Sequence, residues 1–159
     1  METTRHFTAT VFLVNDGATA LHRHPSLDIR IPPGGHVDRD ELPHEAGLRE
    51  AREETGLDPT LVDDTESVGA PAGETLPAPR HTMLYDIDRR ADGGVAHQHI
   101  DMKYFASVES RDIDPAGDDE ADAARWEWYT PAELRGSDLD RDTIAIGIEA
   151  IETVADAED

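Results

Sequence analysis

The chain of 159 residues contains no cysteine. That absence excludes a disulfide framework, a thiolate nucleophile and any cysteine-based metal site. Lysine is nearly missing too: Lys103 is the only one, and every other basic residue is arginine. Aromatic residues make up 5%, so whatever core forms is built mainly from aliphatic side chains. No apolar run approaches the roughly 20 residues of a membrane-spanning helix, and the opening Met1-Glu-Thr-Thr-Arg-His lacks the apolar stretch of a secretory signal. A cytoplasmic protein with no membrane partner is the expectation. With no internal repeat and no linker-like segment, residues 1–159 read as a single domain, long enough to bury a core.

What the chain has in excess is negative charge, 36 acidic against 14 basic residues for a net −22. An acidic mimic of nucleic acid or a decoy for basic proteins is one explanation. The other is a halophilic surface, on which concentrated salt screens the self-repulsion. The acids are scattered along the chain and large apolar residues are sparse, which favours the halophilic surface. Either way, duplex DNA and anionic membranes are poor partners. A small anionic ligand can still bind where cations neutralise it locally.

Periodicity places strands at 7–14 and 18–24 around the Asn15-Asp16-Gly17 turn, and a third at 27–31. The Pro32-Pro-Gly-Gly35 segment breaks the pattern into a loop. Pro43 to Thr55 reads as a helix, with Pro43 suited to its first position and Gly56 just past its end, although Leu42 is a poor N-cap. Further strands are expected at 61–68, 82–87, 98–108 and 126–129, with loops at 69–80 and 113–124 and a turn at 89–94. A helical turn starts at Pro131, and Ile144, Ile148 and Ile151 mark a final helix over 142–155, with 156–159 frayed. The order suggests an α/β protein, a mixed sheet with helices on both faces.

The chemically informative stretch is Gly35 to Leu57, GHVDRDELPHEAGLREAREETGL. On a helix Glu50, Glu53 and Glu54 stand at i, i+3 and i+4, so three like charges share one face. A solvated acidic face in an acidic protein could do this without function. A divalent cation would compensate such a face better than Arg49 and Arg52 alone. Mg²⁺ takes oxygen ligands and pairs with substrate phosphates, and a glycine-rich loop lets bare backbone approach both. The full pattern fixes two glycines, four glutamates, an arginine and two small or aliphatic positions. Its chance occurrence here is on the order of one in a million, so spacing rather than acidity carries the reading.

The stretch resembles the Nudix box, GX5EX7REUXEEXGU with U aliphatic, at every fixed position, Ala51 being a small occupant of the first U. Ile31-Pro-Pro-Gly-Gly resembles the usual entry to that box. Asp119-Glu120, then Arg125-Trp126 and Pro131-Ala-Glu-Leu134, resemble the family's later acidic loop, tryptophan strand and short helix. The resemblance implies a Nudix-type α/β/α sandwich and a Mg²⁺-dependent pyrophosphohydrolase, with Mn²⁺ as a substitute. Its substrate would be a nucleoside diphosphate linked to another moiety, such as ADP-ribose, or a modified nucleoside triphosphate. Glu53 and Glu54 are then main metal ligands, Glu50 a third ligand or the base, and Arg49 orients the cluster. Gly34 offers its carbonyl to a metal and Glu41 supports the loop or an outer shell. Glu120 is a further metal-ligand candidate, with Asp118 and Asp119 competing for the role. Which carboxylate is the base and how many metals bind stay open, as does homodimer formation. A Nudix-fold sensor that binds nucleotide without cutting it is the alternative.

A second segment, Ala96 to Phe105, puts His97, His99, Asp101 and Lys103 on one face of a strand. That face could be solvated, or it could line the substrate cleft, with Lys103 on a phosphate and His99 or Asp101 on a ribose or acting as a base. A zinc site at His97 and His99 lacks further ligands. His22 and His24 are expected at a surface or cleft edge, and Trp126, Trp128 and Tyr129 in core packing.

Overall fold

A computed structural model of the chain describes residues 1–115 and 122–159. In chain order the elements begin with β1 (Thr4–Asn15), β2 (Ala18–Arg23), β3 (Arg30–Ile31), β4 (Gly34–His36), α1 (Pro43–Thr55) and β5 (Thr60–Leu61). They continue with β6 (His81–Arg89), β7 (Val95–Ser107), β8 (Trp126–Tyr129), α2 (Pro131–Arg135) and α3 (Arg141–Glu158). All eight strands belong to one mixed sheet. β1 runs parallel to β7 from Thr4 opposite His97 to Val14 opposite Ser107. Along its other edge β1 is shared between antiparallel β4, with Thr8 opposite His36 and Thr10 opposite Gly34, and antiparallel β2. β6 and β5 pair with β7, and β3 and β8 pair with β2.

The alternation of side chains along β1 builds the two layers of the core. Ala9, Val11 and Leu13 face α1 together with Tyr104 and Ala106 of β7. Phe12 and Val14 face the other way, against Ile146, Ala150, Ile151 and Val154 of α3 and Leu134 of α2. Helices cover both faces, giving the expected α/β/α sandwich. Gly47 explains how closely α1 sits: a Cβ there would lie 2.9 Å from Val11 Cγ2. Gly56, at φ 73°, closes the helix in the left-handed conformation. At the weak N-cap, the Leu42 N–H donates to Glu45 Oε1 at 3.3 Å, which supplies half of a capping box.

Several elements depart from the sequence expectation. The strand expected at 27–31 shortens to Arg30–Ile31 because His24 Nδ1 accepts from the N–H groups of Ser26 and Leu27 and bends the chain. The strand expected at 61–68 shortens to Thr60–Leu61. Beyond it, Asp63 accepts from the Thr65 N–H, Thr75 bonds both backbone groups of Val68, and Thr65 accepts from the Ala78 N–H. Side chains therefore take bonds that a ladder would use. Gly34 and Gly35, expected in a loop, belong to the short strand Gly34–His36, and α3 runs to Glu158 through the segment expected to fray.

His22 is not at the surface. It is 7% exposed and stacks on Trp126 with ring centroids 4.4 Å apart. Trp126 and Tyr129 are buried as expected, and Trp128 lies under the Arg111 guanidinium. Burial, with lesser contributions from His24 and Arg125, pushes the His22 imidazole down to about 4. The unfolded chain therefore takes up the proton first. The stability that neutral His22 contributes is complete above about pH 6.5 and drains as pH falls towards 4. It amounts to at most about 3 kcal/mol. A His22→Phe variant is expected to lose less unfolding free energy than the parent between pH 7 and pH 5. Equal losses in the two denaturation series would remove His22 as the cause.

Candidate active site

α1 carries the carboxylates, and the glycines of β4 receive them. The Gly34 N–H donates to Glu54 Oε2 at 3.1 Å. A Cβ on Gly35 would fall on the Glu50 carboxylate, so glycine there lets this side chain lie against the strand. The helix and the Pro33-Gly34-Gly35 backbone therefore meet without intervening side chains, and acidic oxygens collect along the seam.

Arg49 holds the collection together. Its Nε and Nη2 grip the two oxygens of Glu41 at 2.6 and 2.8 Å, a bidentate pair. Its Nη1 donates to Glu50 Oε1 at 3.1 Å and to Glu53 Oε2 at 3.2 Å, and Nη2 also reaches the His36 carbonyl at 3.3 Å. Asp38 stands 3.8 Å away. One guanidinium thus serves three glutamates separated by up to twelve positions in sequence. The Glu41 carboxyl is pulled down to about 2, chiefly by the Arg49 bond and then by the Asp38 N–H, while Arg49 is pushed above its ordinary value by Glu41 and then Glu50. Of the cluster, Glu53 is the most open, its side chain half exposed, against 19% for Glu50 and 18% for Glu41. The geometry thus presents Glu53 to solvent and keeps Glu50 and Glu54 against the glycines.

The expected substrate-facing residues separate. Asp101 and Lys103 are 3% and 5% exposed and bond each other at 2.8 Å. Thr8 and Thr10 donate to the two Asp101 oxygens at 2.9 and 2.8 Å, and the Lys103 ammonium lies 5.0 Å from the Tyr85 ring centroid. A phosphate would have to displace Asp101 to reach that ammonium. Both residues face the α3 side of the sheet, opposite α1, because they share the parity of Thr8, Thr10 and Phe12 in the parallel register. His99 keeps partial exposure on the same face. There it meets His6, His36 and His97, a gathering that no single segment of sequence reveals. Glu120, Asp118 and Asp119 lie outside the described residues.

Two open depressions, of about 380 and 620 Å³, lie at the β2–β3–β8 edge around Arg23, Arg30 and Glu127. Neither is lined by α1 residues.

The NUDIX domain family model matches residues 4–146. An RNA pyrophosphohydrolase of Erythrobacter litoralis (strain HTCC2594) is 30% identical over 102 residues, 64% of this chain and 59% of that protein. The match thus spans less than two thirds of that relative's length. Among solved structures, a NUDIX-family hydrolase from Clostridium perfringens superposes with a TM-score of 0.79 at 30% identity, covering 95% of this chain and 99% of that one. A MutT protein from Bacillus halodurans shares the fold, with a TM-score of 0.63 at 15% identity, covering 92% and 82% of the two chains.

Replacing Arg49 by alanine leaves Glu41, Glu50 and Glu53 facing one another. The expected cost is about 1–3 kcal/mol at low ionic strength, shrinking as salt screens the exposed repulsion. Urea denaturation of Arg49→Ala at low and high salt measures it. A loss independent of salt would show that packing, not charge, is what Arg49 supplies.

Proposed function

The chain belongs to the Nudix hydrolase family, and from that premise we propose that it is a Mg²⁺-dependent hydrolase of the pyrophosphate bond in a nucleoside diphosphate derivative. The observation that carries the proposal is the seam between α1 and β4, where Glu50, Glu53 and Glu54 converge within one helical turn beside Gly34 and Gly35. These are all oxygen donors, a set suited to a hard divalent ion. Glu50, Glu53, Glu54 and the Gly34 carbonyl are the groups proposed to hold Mg²⁺, or Mn²⁺ in its place, and Glu120 is proposed as a further ligand. When bound, such an ion neutralises charge on phosphate oxygens and lowers the pKa of water.

The chain's own groups supply the rest. Glu50, which serves either as a third ligand or as the base, is the group proposed to take the proton of the attacking water, while Glu53, the most exposed carboxylate of the cluster, holds the ion. Arg49 is a positioning residue in this scheme, fixing Glu50 and Glu53 through one Nη1 atom. The bare Gly34–Gly35 backbone lets the Glu50 carboxylate lie directly against β4. His99 is the substrate-facing residue of the second segment, while the closed Asp101–Lys103 pair supports the strand beneath it. A nucleotide sugar or a modified nucleoside triphosphate is the proposed substrate, and the acidic surface, with its charge of −22, disfavours a long polyanion such as RNA only where salt is low. The same charge supports a halophilic setting, and a single cytoplasmic domain over residues 1–159 is part of the proposal.

A substrate panel in Mg²⁺ and high salt, comprising ADP-ribose, an oxidised nucleoside triphosphate, a dinucleoside polyphosphate and 5′-pyrophosphate RNA, tests this by the phosphate products released. Glu53→Gln is expected to stay folded and lose roughly 10²–10⁴-fold in turnover. Near-normal Mg²⁺-dependent hydrolysis by that variant overturns the site assignment. Binding of nucleotide with no product from any panel member marks a sensor instead.

A further inference from the structure

On the α3 side of the sheet, the strand registers bring imidazoles together from three elements. The parallel register sets His6 of β1 opposite His99 of β7, and the antiparallel register sets His36 of β4 opposite Thr8, one pleat repeat along the same face. One ring nitrogen from each of His6, His36 and His99 can be chosen so that all three lie within 4.8 Å of one another. We propose that His6, His36 and His99 form a binding site for a late first-row divalent metal ion such as Zn²⁺, separate in chemistry from the carboxylates of α1. It uses none of the α1 donors and shares only His99 with the substrate-facing role proposed above.

Three imidazoles with open remaining positions are a donor set that zinc and its neighbours accept, whereas Mg²⁺ prefers oxygen. Around a tetrahedral zinc with bonds of about 2.0–2.1 Å, nitrogens stand roughly 3.4 Å apart. The rings must therefore draw in by up to about 1.4 Å. His6 and His36 are exposed and can do so by side-chain rotation. His36 meets both partners edge to face, 5.2 Å from His6 and 5.1 Å from His99, while His6 and His99 lie near-parallel with centroids 6.4 Å apart.

The surroundings of His99 favour its neutral form, the form that binds metal. Burial and the neighbouring His36, His97 and His6 hold His99 below its ordinary value, against an opposing pull from Asp101. His97 flanks the group, 4.5 Å from His6 and 5.2 Å from His99 by ring centroids, and its Nδ1 is tied to Thr4 Oγ1 at 2.8 Å. That bond turns His97 towards β1 and leaves it as a wall of the site. Asp101, two residues beyond His99 on the same face, adds a carboxylate whose charge Lys103 offsets. An ion here would tie β1, β4 and β7 together at the end where β4 carries the catalytic-site glycines.

Untagged protein titrated with Zn²⁺ in the presence of excess Mg²⁺, and separately with Co²⁺, tests the site by calorimetry and by the visible bands of nitrogen-coordinated cobalt. The expected result is one high-affinity equivalent, with a rise in melting temperature on loading. His6→Ala and His36→Ala, whose side chains are exposed, should fold and lose affinity by an order of magnitude or more. Glu53→Gln should keep the binding. Absence of uptake by the parent protein overturns the proposal. So does uptake that survives in the two histidine variants, or that disappears in Glu53→Gln, because either would place the ion on other donors.

Discussion

The arrangement depends on a single cation placed among acids. In a chain with this much negative charge, gathering Glu41, Glu50 and Glu53 into one patch is unfavourable unless something offsets their repulsion. Arg49 does so with the planar fork that only a guanidinium provides, two nitrogens spent on Glu41 and a third shared by Glu50 and Glu53. Glu41 precedes the helix and the other two ride on it, so the same side chain fastens the entry loop to α1. The seam between α1 and β4 is thereby both a charge-balanced patch and a mechanical joint.

The sequence made this part legible because it is local. Offsets of three and four along a helix place Glu50, Glu53 and Glu54 on one side whatever the rest of the chain does, and Gly35 and Gly56 bracket them at family spacing. The same locality let the final helix be read from Ile144, Ile148 and Ile151. The strand limits were less readable, because Asp63, Thr65, Thr75 and His24 divert backbone bonds into turns that periodicity does not register.

What sequence could not convey is depth and register. The odd positions of β7 were correctly placed on one face, but a pattern of alternation carries no information about what lies opposite. Thr8, Thr10 and Tyr85 enclose Asp101 and Lys103 and turn an apparent polar face into a buried ion pair. One pleat away, the same registers leave His99 facing imidazoles from strands about 60 and 90 residues earlier. The His97 and His99 pair, incomplete as a metal site within its own segment, gains its company only through pairings with β1 and β4. His22 is the matching case at the other end of the sheet, an ionisable ring hidden by a tryptophan that comes a hundred residues later.

The contact between Gly47 and Val11 works as a shim. The glycine has no side chain to hold the helix off the sheet, and the valine methyl fills the space left, so together they set the height at which the helix rides. That height fixes how far every glutamate projects over the neighbouring strand. Positions 11 and 47 should therefore drift as a matched pair, bulk gained at one returned at the other, and the reach of the acidic side chains could be tuned from beneath without altering any of them.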